Sequence, residues 1–174
     1  MKYQIIDNYL SQQDFDIVKS ILNSDEFLWQ LNKKPNDNSS IGDFQFLHFF
    51  VEFYQPEYLN AAYLPFIITK PYAKKVNKSY RINRAKANLF IKTSNESKEL
   101  GYHKDLEDSS EFNEYKTIIL YLENSNGFTQ FKSGEKIESI ENRALIFDAH
   151  TEHQTITQTD KMFRTNININ IREI

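Results

Sequence analysis

Two residues near the middle of the chain, His103 and Asp105, have the types and the spacing of metal ligands. Side chains on a β-strand alternate between its faces, so this imidazole and this carboxylate point the same way. His153 and then Arg164 follow later in the chain. Two imidazoles and one carboxylate suit non-haem Fe(II), because they leave positions open for a cosubstrate and dioxygen. The planar guanidinium of Arg164 can clamp a carboxylate through two parallel hydrogen bonds.

The second histidine ligand has two candidates in the sequence. His150 and His153 both follow the strand-like segment that ends at Phe147. Asp148 and His150 also form a second aspartate–histidine pair with one residue between them. The residues alone therefore leave both histidines open as the third ligand.

The second half of the chain contains the strands that would position these side chains. Predicted strands cover about 81–93, 99–105, 116–122, 128–132, 136–139, 143–148, 153–157 and 163–172. Many short strands separated by turn residues are typical of an antiparallel sandwich or barrel. The dipeptide Asn126-Gly127 favours a tight hairpin turn, so we expect a turn there.

The first part of the chain is expected to contain the helices. Ser11 can cap a helix that runs to about Leu22 and carries an apolar stripe. Residues 44–54 are aromatic and strand-like, and prolines interrupt the apolar stretch that follows. We expect one or two short helices before Tyr80. Because helices precede strands, they should cover one outer face of the sheet.

The ordered set of motifs resembles the Fe(II)/2-oxoglutarate-dependent dioxygenases, in particular small prolyl-hydroxylase-like members from bacteria and phages. The resemblance covers most of the chain. It rests on His103-X-Asp105, His153 and Arg164, and on the segments 5–10, 117–122, 124–131 and 142–147. It implies a mainly β fold with N-terminal helices, built as a jelly roll or double-stranded β-helix. It also implies one domain over residues 1–174, with a helical part at about 1–79 and a jelly-roll core at about 80–174.

The same resemblance implies the cofactors and the roles of the site residues. Fe(II) would be bound by His103, Asp105 and His153, with 2-oxoglutarate as cosubstrate and dioxygen as oxidant. The interval of 11 residues from His153 to Arg164 resembles the spacing in the family and favours His153 over His150. Arg164 would bind the distal carboxylate of 2-oxoglutarate.

Several other polar residues have alternative interpretations. Tyr121 occupies the position where related enzymes place a tyrosine that helps the arginine, but aromatic residues also favour strands for packing alone. Asn88 is a candidate for the proximal carboxylate. We expect Thr129 and Thr155 to serve strand packing and His48 to be a structural histidine.

Residues 163–172 alternate between polar and apolar side chains, so this strand tests the proposed layout. Arg164 and Arg172 share one face with three asparagines, and Thr165 shares the other with three isoleucines. In a simple sandwich the isoleucines would face the core and the arginines water. In the jelly roll of this family the isoleucines face helices and Arg164 lines a polar cavity. We expect the second arrangement, because Arg164 is then placed to bind a cosubstrate.

Composition limits the classes of protein. The 174 residues contain no cysteine, which excludes disulfides, thiolate catalysis and cysteine-based zinc sites. That length corresponds to one ordinary domain. The chain has neither the apolar run of a signal peptide nor a stretch long enough for a membrane span, so we expect a cytoplasmic protein.

The net charge of −3 conceals a basic stretch. Residues 58–95 contain no acidic residue and eight basic ones, whereas the remainder carries 13 basic and 24 acidic residues. The eight are Lys70, Lys74, Lys75, Lys78, Arg81, Arg84, Lys86 and Lys92. They form either an electropositive strip for an anionic partner or an ordinary solvated surface. We expect the solvated surface and no tight binding of nucleic acid.

The predicted function is hydroxylation of a prolyl or other amino-acid side chain, in a small molecule or a peptide, with release of succinate and CO2. Two alternatives stay open. One is oxidative demethylation of nucleic acid bases, which the basic stretch and Arg172 permit. The other is a non-catalytic jelly-roll binding module, against which the four intact residues His103, Asp105, His153 and Arg164 argue.

Overall fold

The computed structural model describes residues 3–33, 44–52, 55–56, 61–106 and 115–174. Within these residues the chain forms two helices and eleven strands. The helices are α1 (Gln12–Leu22) and α2 (Leu64–Val76). The strands are β1 (Tyr3–Ile6), β2 (Gln30–Asn32), β3 (Gln45–Glu52), β4 (Gln55–Pro56), β5 (Tyr80–Ile91), β6 (Tyr115–Tyr121), β7 (Ser125–Phe131), β8 (Lys136–Ser139), β9 (Arg143–Asp148), β10 (His153–Ile156) and β11 (Phe163–Glu173).

The strands form two antiparallel sheets. The large sheet has the order β1-β9-β6-β11-β5-β3-β2, with β4 paired to β3, and the small sheet has the order β10-β7-β8. Buried side chains of β6 and β9 pack against those of β7 and β8, so the sheets face each other. This arrangement confirms the predicted jelly roll.

Both helices lie on the outer face of the large sheet. The predicted first helix is confirmed, and the Ser11 side chain caps it by accepting a hydrogen bond from the Asp14 amide at 3.2 Å. Apolar side chains of both helices and of β5, β6, β9 and β11 form one buried cluster. Its members include Phe15, Val18, Leu22, Leu64, Ile68, Ile118, Ile146, Ile167, Ile169 and Ile171. The isoleucines of β11 therefore face the helices.

The segment before β6 differs from its prediction. Residues 99–105 form no continuous strand; Glu99 pairs with Ile156 and His103 pairs with His153 through isolated bridges. Gly101 interrupts the extended conformation because its φ angle is +85°, in the left-handed region. His103 and Asp105 thus come from an irregular segment that borders the small sheet.

The predicted turn at Asn126-Gly127 is also wrong. Both residues lie within β7, where the register with β8 shifts between Ser125 and Phe128. The connection between β7 and β8 turns instead near Gly134, whose φ angle is +105°. The Gly134 amide closes this turn by donating to the Phe131 carbonyl at 2.9 Å. Asn126-Gly127 therefore forms a bulge, and glycine is as well suited to a bulge as to a turn.

The first 79 residues contribute strands as well as helices, since β1 and β3 belong to the large sheet. Neither described helix has the length and apolar character needed to cross a membrane.

Candidate metal centre

Three predicted ligands come together at one end of the roll. Potential ligand atoms of His103, Asp105 and His153 all lie within 4.8 Å of one another. The two imidazole rings have their centroids 4.5 Å apart, and His153 Nε2 lies 3.9 Å from Asp105 Oδ2. These separations are small enough for one ion to contact all three side chains.

Backbone carbonyls orient both imidazoles. His153 Nδ1 lies 2.9 Å from the Thr151 carbonyl oxygen, and His103 Nδ1 lies 3.4 Å from that of Gly101. A carbonyl only accepts, so Nδ1 carries the proton and Nε2 keeps its lone pair. Burial and the neighbouring His153 lower the pKa of His103 to about 4. His103 is therefore neutral near pH 7, as a metal ligand must be.

Asp105 is held by a closed ring of hydrogen bonds. Arg84 Nη2 donates to Asp105 Oδ1 at 2.8 Å, and the Thr117 hydroxyl donates to Oδ2 at 2.7 Å. Asn170 closes the ring, because it accepts from Arg84 Nε and donates to the Thr117 hydroxyl, both at 2.9 Å. Asn168 Nδ2 also lies 3.3 Å from both Asp105 oxygens.

Burial raises the pKa of the Asp105 carboxyl, but electrostatic interactions with the neighbouring His153 imidazole and the Arg84 guanidinium outweigh this effect. The net result is a pKa far below the usual range. Asp105 therefore stays ionised, and its hydrogen bonds keep the carboxylate in one orientation beside the two imidazoles.

The inner face of the large sheet forms a ladder of polar pairs across β11 and β5. From one end of the ladder to the other, the facing pairs are Arg164 and Phe90, Asn166 and Asn88, Asn168 and Lys86, and Asn170 and Arg84. The alternation predicted for 163–172 is thus confirmed, and it places the polar side chains of β11 on the side of the small sheet.

Arg164 is the most constrained cation of this ladder. It is 0% exposed, and its guanidinium carbon lies 4.9 Å above the centre of the Phe90 ring. Its Nη2 donates to the Ile156 carbonyl at 3.2 Å, whereas Nε and Nη1 have no hydrogen-bond partner among the described residues. Burial lowers the pKa of Arg164 to about 10, so the side chain remains charged at pH 7.

Gly127 makes room for this guanidinium. A Cβ atom at position 127 would lie 2.9 Å from Arg164 Nε and 3.0 Å from the Gln158 amide nitrogen. Real Cβ contacts are longer than this, so any side chain at position 127 would displace Arg164 or the backbone. Gly127 in the β7 bulge is therefore part of the site.

Tyr121 lies opposite Asn166 in the pairing of β6 with β11 and is 0% exposed. Its hydroxyl donates to the Thr129 hydroxyl at 2.7 Å. Burial raises the pKa of Tyr121 to about 12, so the hydroxyl keeps its proton. The charge of Arg164 acts against burial and lowers the pKa of Tyr121. The described residues contain no direct hydrogen bond between these two side chains.

A cavity opens between the ladder and the small sheet. Its empty volume is about 470 Å³, a figure that includes open solvent at its mouth. Lys86 and Asn88 line it from β5, His103 and His153 line it at the ligand group, and Thr155 lines it from β10. Asn88 donates to the Asn166 side-chain oxygen at 2.9 Å. The ligand group is therefore open to a small molecule.

The two remaining histidines take different positions. His150 lies in the turn after β9 and is not part of the ligand group within the described part of the chain. His48 Nδ1 lies 2.8 Å from the Leu28 carbonyl oxygen, and its ring packs 4.3 Å from that of Phe27 in the region of the helices. These contacts agree with the expected structural role of His48.

Sequence reasoning missed the residues that hold Asp105. Arg84 and Lys86 were assigned to a solvated basic surface, but Arg84 pairs with Asp105 and Lys86 lines the cavity. Lys70 and Lys74 on α2 are exposed, as expected. The sequence contains a pattern that distinguishes Arg84 and Lys86 from the exposed lysines. Arg84, Lys86 and Asn88 alternate with small or apolar residues in a predicted strand, so they share one face.

No protein-family model matches the sequence, and no curated protein matches it either. Solved structures do match the fold. An oxidoreductase of the 2OG-Fe(II) oxygenase family from Burkholderia pseudomallei has a TM-score of 0.68 and 10% identity, covering 98% of this chain and 84% of that one. The viral collagen prolyl hydroxylase of Paramecium Bursaria Chlorella virus-1, in a 2OG complex, has a TM-score of 0.64 and 14% identity, covering 100% and 97%.

A prolyl hydroxylase from Trichoplax adhaerens, in complex with a hypoxia inducible factor oxygen degradation domain peptide fragment, has a TM-score of 0.66 and 14% identity. The match covers 99% of this chain and 83% of that one. At such identities the likeness concerns the fold. The chain therefore has the jelly-roll fold found in structures of 2OG-Fe(II) oxygenases and prolyl hydroxylases.

Proposed function

We propose that the protein is an Fe(II)- and 2-oxoglutarate-dependent dioxygenase that hydroxylates a prolyl or other amino-acid side chain, with release of succinate and CO2. One observation carries the proposal. His103, Asp105 and His153 form a compact ligand group beside the cavity, and the inner face of the large sheet carries a buried, charged arginine with two nitrogens that have no hydrogen-bond partner among the described residues. This chemistry requires a site for Fe(II), which the ligand group matches, and a site for a carboxylate of 2-oxoglutarate, which the arginine matches.

The ligand group fits Fe(II). His103 and His153 present Nε2 lone pairs, and Asp105 supplies the hard anionic oxygen that a divalent ion requires. Bound iron and 2-oxoglutarate would activate dioxygen, which is the oxidant, while the protein supplies position and exclusion of water. The hydrogen-bond ring around Asp105 would keep the carboxylate from turning away when the ion leaves.

Arg164 fits a carboxylate ligand. Nε and Nη1 of this buried guanidinium have no hydrogen-bond partner in the described part of the chain, which is costly, and a carboxylate matches their donor geometry. Arg164 would bind the distal carboxylate of 2-oxoglutarate, with Tyr121 and Thr129 forming the polar wall beside it. Asn88 and Asn166 lie one pair further along the ladder and offer amide groups to the proximal end of the same molecule.

The solved structures support the choice of substrate class. Two of the three structures described above are prolyl hydroxylases, and one of these holds a peptide fragment. We extend this description to the present chain as a proposal, with a peptide or a free amino acid as substrate.

The first experiment measures binding before turnover. Calorimetry with Mn(II), a redox-silent substitute for Fe(II), should give one site per chain, and 2-oxoglutarate should bind only to the Mn(II) form. Aerobic incubation with Fe(II) and 2-oxoglutarate should then release succinate slowly, and faster when peptides or free amino acids that contain the substrate are added. A protein that binds neither Mn(II) nor 2-oxoglutarate is a binding module without this chemistry.

A further inference from the structure

Lys86 is the charged residue of the cavity that the proposed function leaves without a role. It lies on β5, opposite Asn168 of β11, and the Asn168 amide contacts Asp105 at 3.3 Å. Lys86 is partly buried and lines the same cavity as His103 and His153. Its ammonium group is therefore placed beside the ligand group and in contact with the cavity.

The ammonium group of Lys86 has no hydrogen bond or ion pair within the described ranges of the chain. The neighbouring Asp105 is not an ion-pair partner of Lys86, because its carboxylate already pairs with Arg84 at 2.8 Å. Arg84 also repels Lys86, whereas Asp105 and Glu52 attract it from a distance. An ammonium group that has lost part of its hydration without gaining a partner is unfavourable unless a ligand supplies an anion.

A bound metal ion increases this imbalance. A divalent ion at Asp105 would neutralise the acid that attracts Lys86 and add positive charge to the same wall. The two carboxylates of 2-oxoglutarate would be used by the metal and by Arg164. Neither carboxylate of 2-oxoglutarate would then be left to compensate the positive charge of Lys86.

We propose that Lys86 forms an anion subsite that recognises a carboxylate or phosphate group of the substrate. This inference rests on the proposed function and narrows its substrate class to an amino acid with a free carboxylate or to a peptide with an acidic group near the reacting residue. Lys86 acts here as a specificity-determining residue.

The ladder separates this subsite from that of the cosubstrate. Facing pairs on one side of a sheet repeat about every 6.6 Å, so the backbone at Lys86 lies about 13 Å from that at Arg164. Asn166 and Asn88 occupy the pair between them. The two cations therefore lie on different parts of the inner face, and Lys86 lines the cavity.

Chemical protection of Lys86 tests the proposal without a known substrate. The intact protein is loaded with Mn(II) and 2-oxoglutarate and is treated with a propionylating reagent in the presence of acetate, inorganic phosphate or neutral acetamide, at constant ionic strength. Mass spectrometry follows modification of Lys86, and exposed Lys70 in the same digest is the internal control. When either anion is present at twice its own dissociation constant for the subsite, it should slow modification of Lys86 about threefold. When acetate and phosphate are compared at equal concentration, the oxyanion that protects Lys86 more strongly identifies the group.

Equal protection by acetamide, or no protection by either oxyanion, overturns the proposal. A second measurement compares 2-oxoglutarate affinity in Lys86→Met and the wild type, both loaded with Mn(II). We expect unchanged affinity. A loss of about tenfold or more would make Lys86 a cosubstrate ligand and would equally overturn the subsite. Failure to bind Mn(II) at all would instead overturn the proposed function, so the two failures are distinguishable.

Discussion

The two faces of β11 have different roles, one in the stability of the fold and the other in the candidate site. The outer face carries Ile167, Ile169 and Ile171, which pack under the two helices in the large apolar cluster. The inner face carries Arg164 and three asparagines, which are just as buried but polar. Burial of the isoleucines stabilises the fold, since each apolar side chain removed from water contributes about 1.5–3 kcal/mol. Burial of the polar face stabilises less, because the hydrogen bonds of the asparagines only offset the cost of leaving water, and two nitrogens of Arg164 have no partner among the described residues.

This difference teaches that stability and ligand binding can be changed separately in one strand. Inner-face substitutions should alter metal or cosubstrate binding and leave the fold intact. Outer-face substitutions should lower stability and leave the ligand group intact.

The largest expected effect is the loss of the metal. His153→Ala removes one of three ligands and should abolish Mn(II) binding in calorimetry, because two protein donors hold a divalent ion poorly. His150→Ala is the matched control, since it removes a nearby histidine outside the ligand group. Loss of Mn(II) binding in the His150 variant alone would mean that the third ligand was assigned to the wrong histidine.

Arg164→Met should separate binding from stability. It removes a charge-assisted carboxylate contact and should weaken 2-oxoglutarate binding by about 2–5 kcal/mol, with little change in Mn(II) affinity. It also removes a buried cation with two nitrogens that have no partner within the described ranges, so the ligand-free protein should become more stable by about 1–3 kcal/mol in urea denaturation. Arg164→Lys should restore binding only in part, since an ammonium lacks the planar fork. Normal 2-oxoglutarate binding in Arg164→Met would make another cation the anchor.

Gly127→Ala should have a smaller effect of the same kind. The new Cβ would lie 2.9 Å from Arg164 Nε, so the guanidinium must shift. We expect 2-oxoglutarate binding to weaken about tenfold, or about 1.4 kcal/mol, in calorimetry. Gly134→Ala is the control: nothing lies within 4 Å of its new Cβ, but its positive φ is strained, so it should lower stability and leave 2-oxoglutarate binding unchanged. Equal binding in both variants would remove Gly127 from the site.

Ile169→Val tests the outer face and has the smallest effect. Removing one methylene from this fully buried position should lower the free energy of unfolding by about 0.5–1.5 kcal/mol. Mn(II) and 2-oxoglutarate affinities should stay at wild-type values. A change in either affinity would show that the two faces are coupled through the strand.

The sequence was most informative where a local pattern decides the structure. Strict alternation in 163–172 fixes which side chains share a face, because a shift by one residue would bury the wrong set. The ligand spacing His103-X-Asp105 located the cluster even though this segment is not a strand. The cap at Ser11 located α1 for the same local reason.

The missed features depend on contacts between distant segments. Arg84 reaches Asp105 only because β5 pairs with β11 in one particular register, which no local pattern specifies. Asn126-Gly127 has the local preference of a turn, but its place opposite β8 and against Arg164 makes it a bulge. Propensity gave way there to packing between strands, as it commonly does in sheets.

The irregular segment that carries His103 and Asp105 has a consequence for local dynamics. It belongs to neither sheet as described, and backbone hydrogen bonds join it to β10 and to Ala149. His153 belongs to the small sheet, while the partners of Asp105 belong to the large one. An ion bound by these three side chains would act as a clasp, that is, a cross-link that joins this segment to both sheets. Amide hydrogen exchange in this segment should therefore slow when metal binds, because opening it would require breaking the clasp.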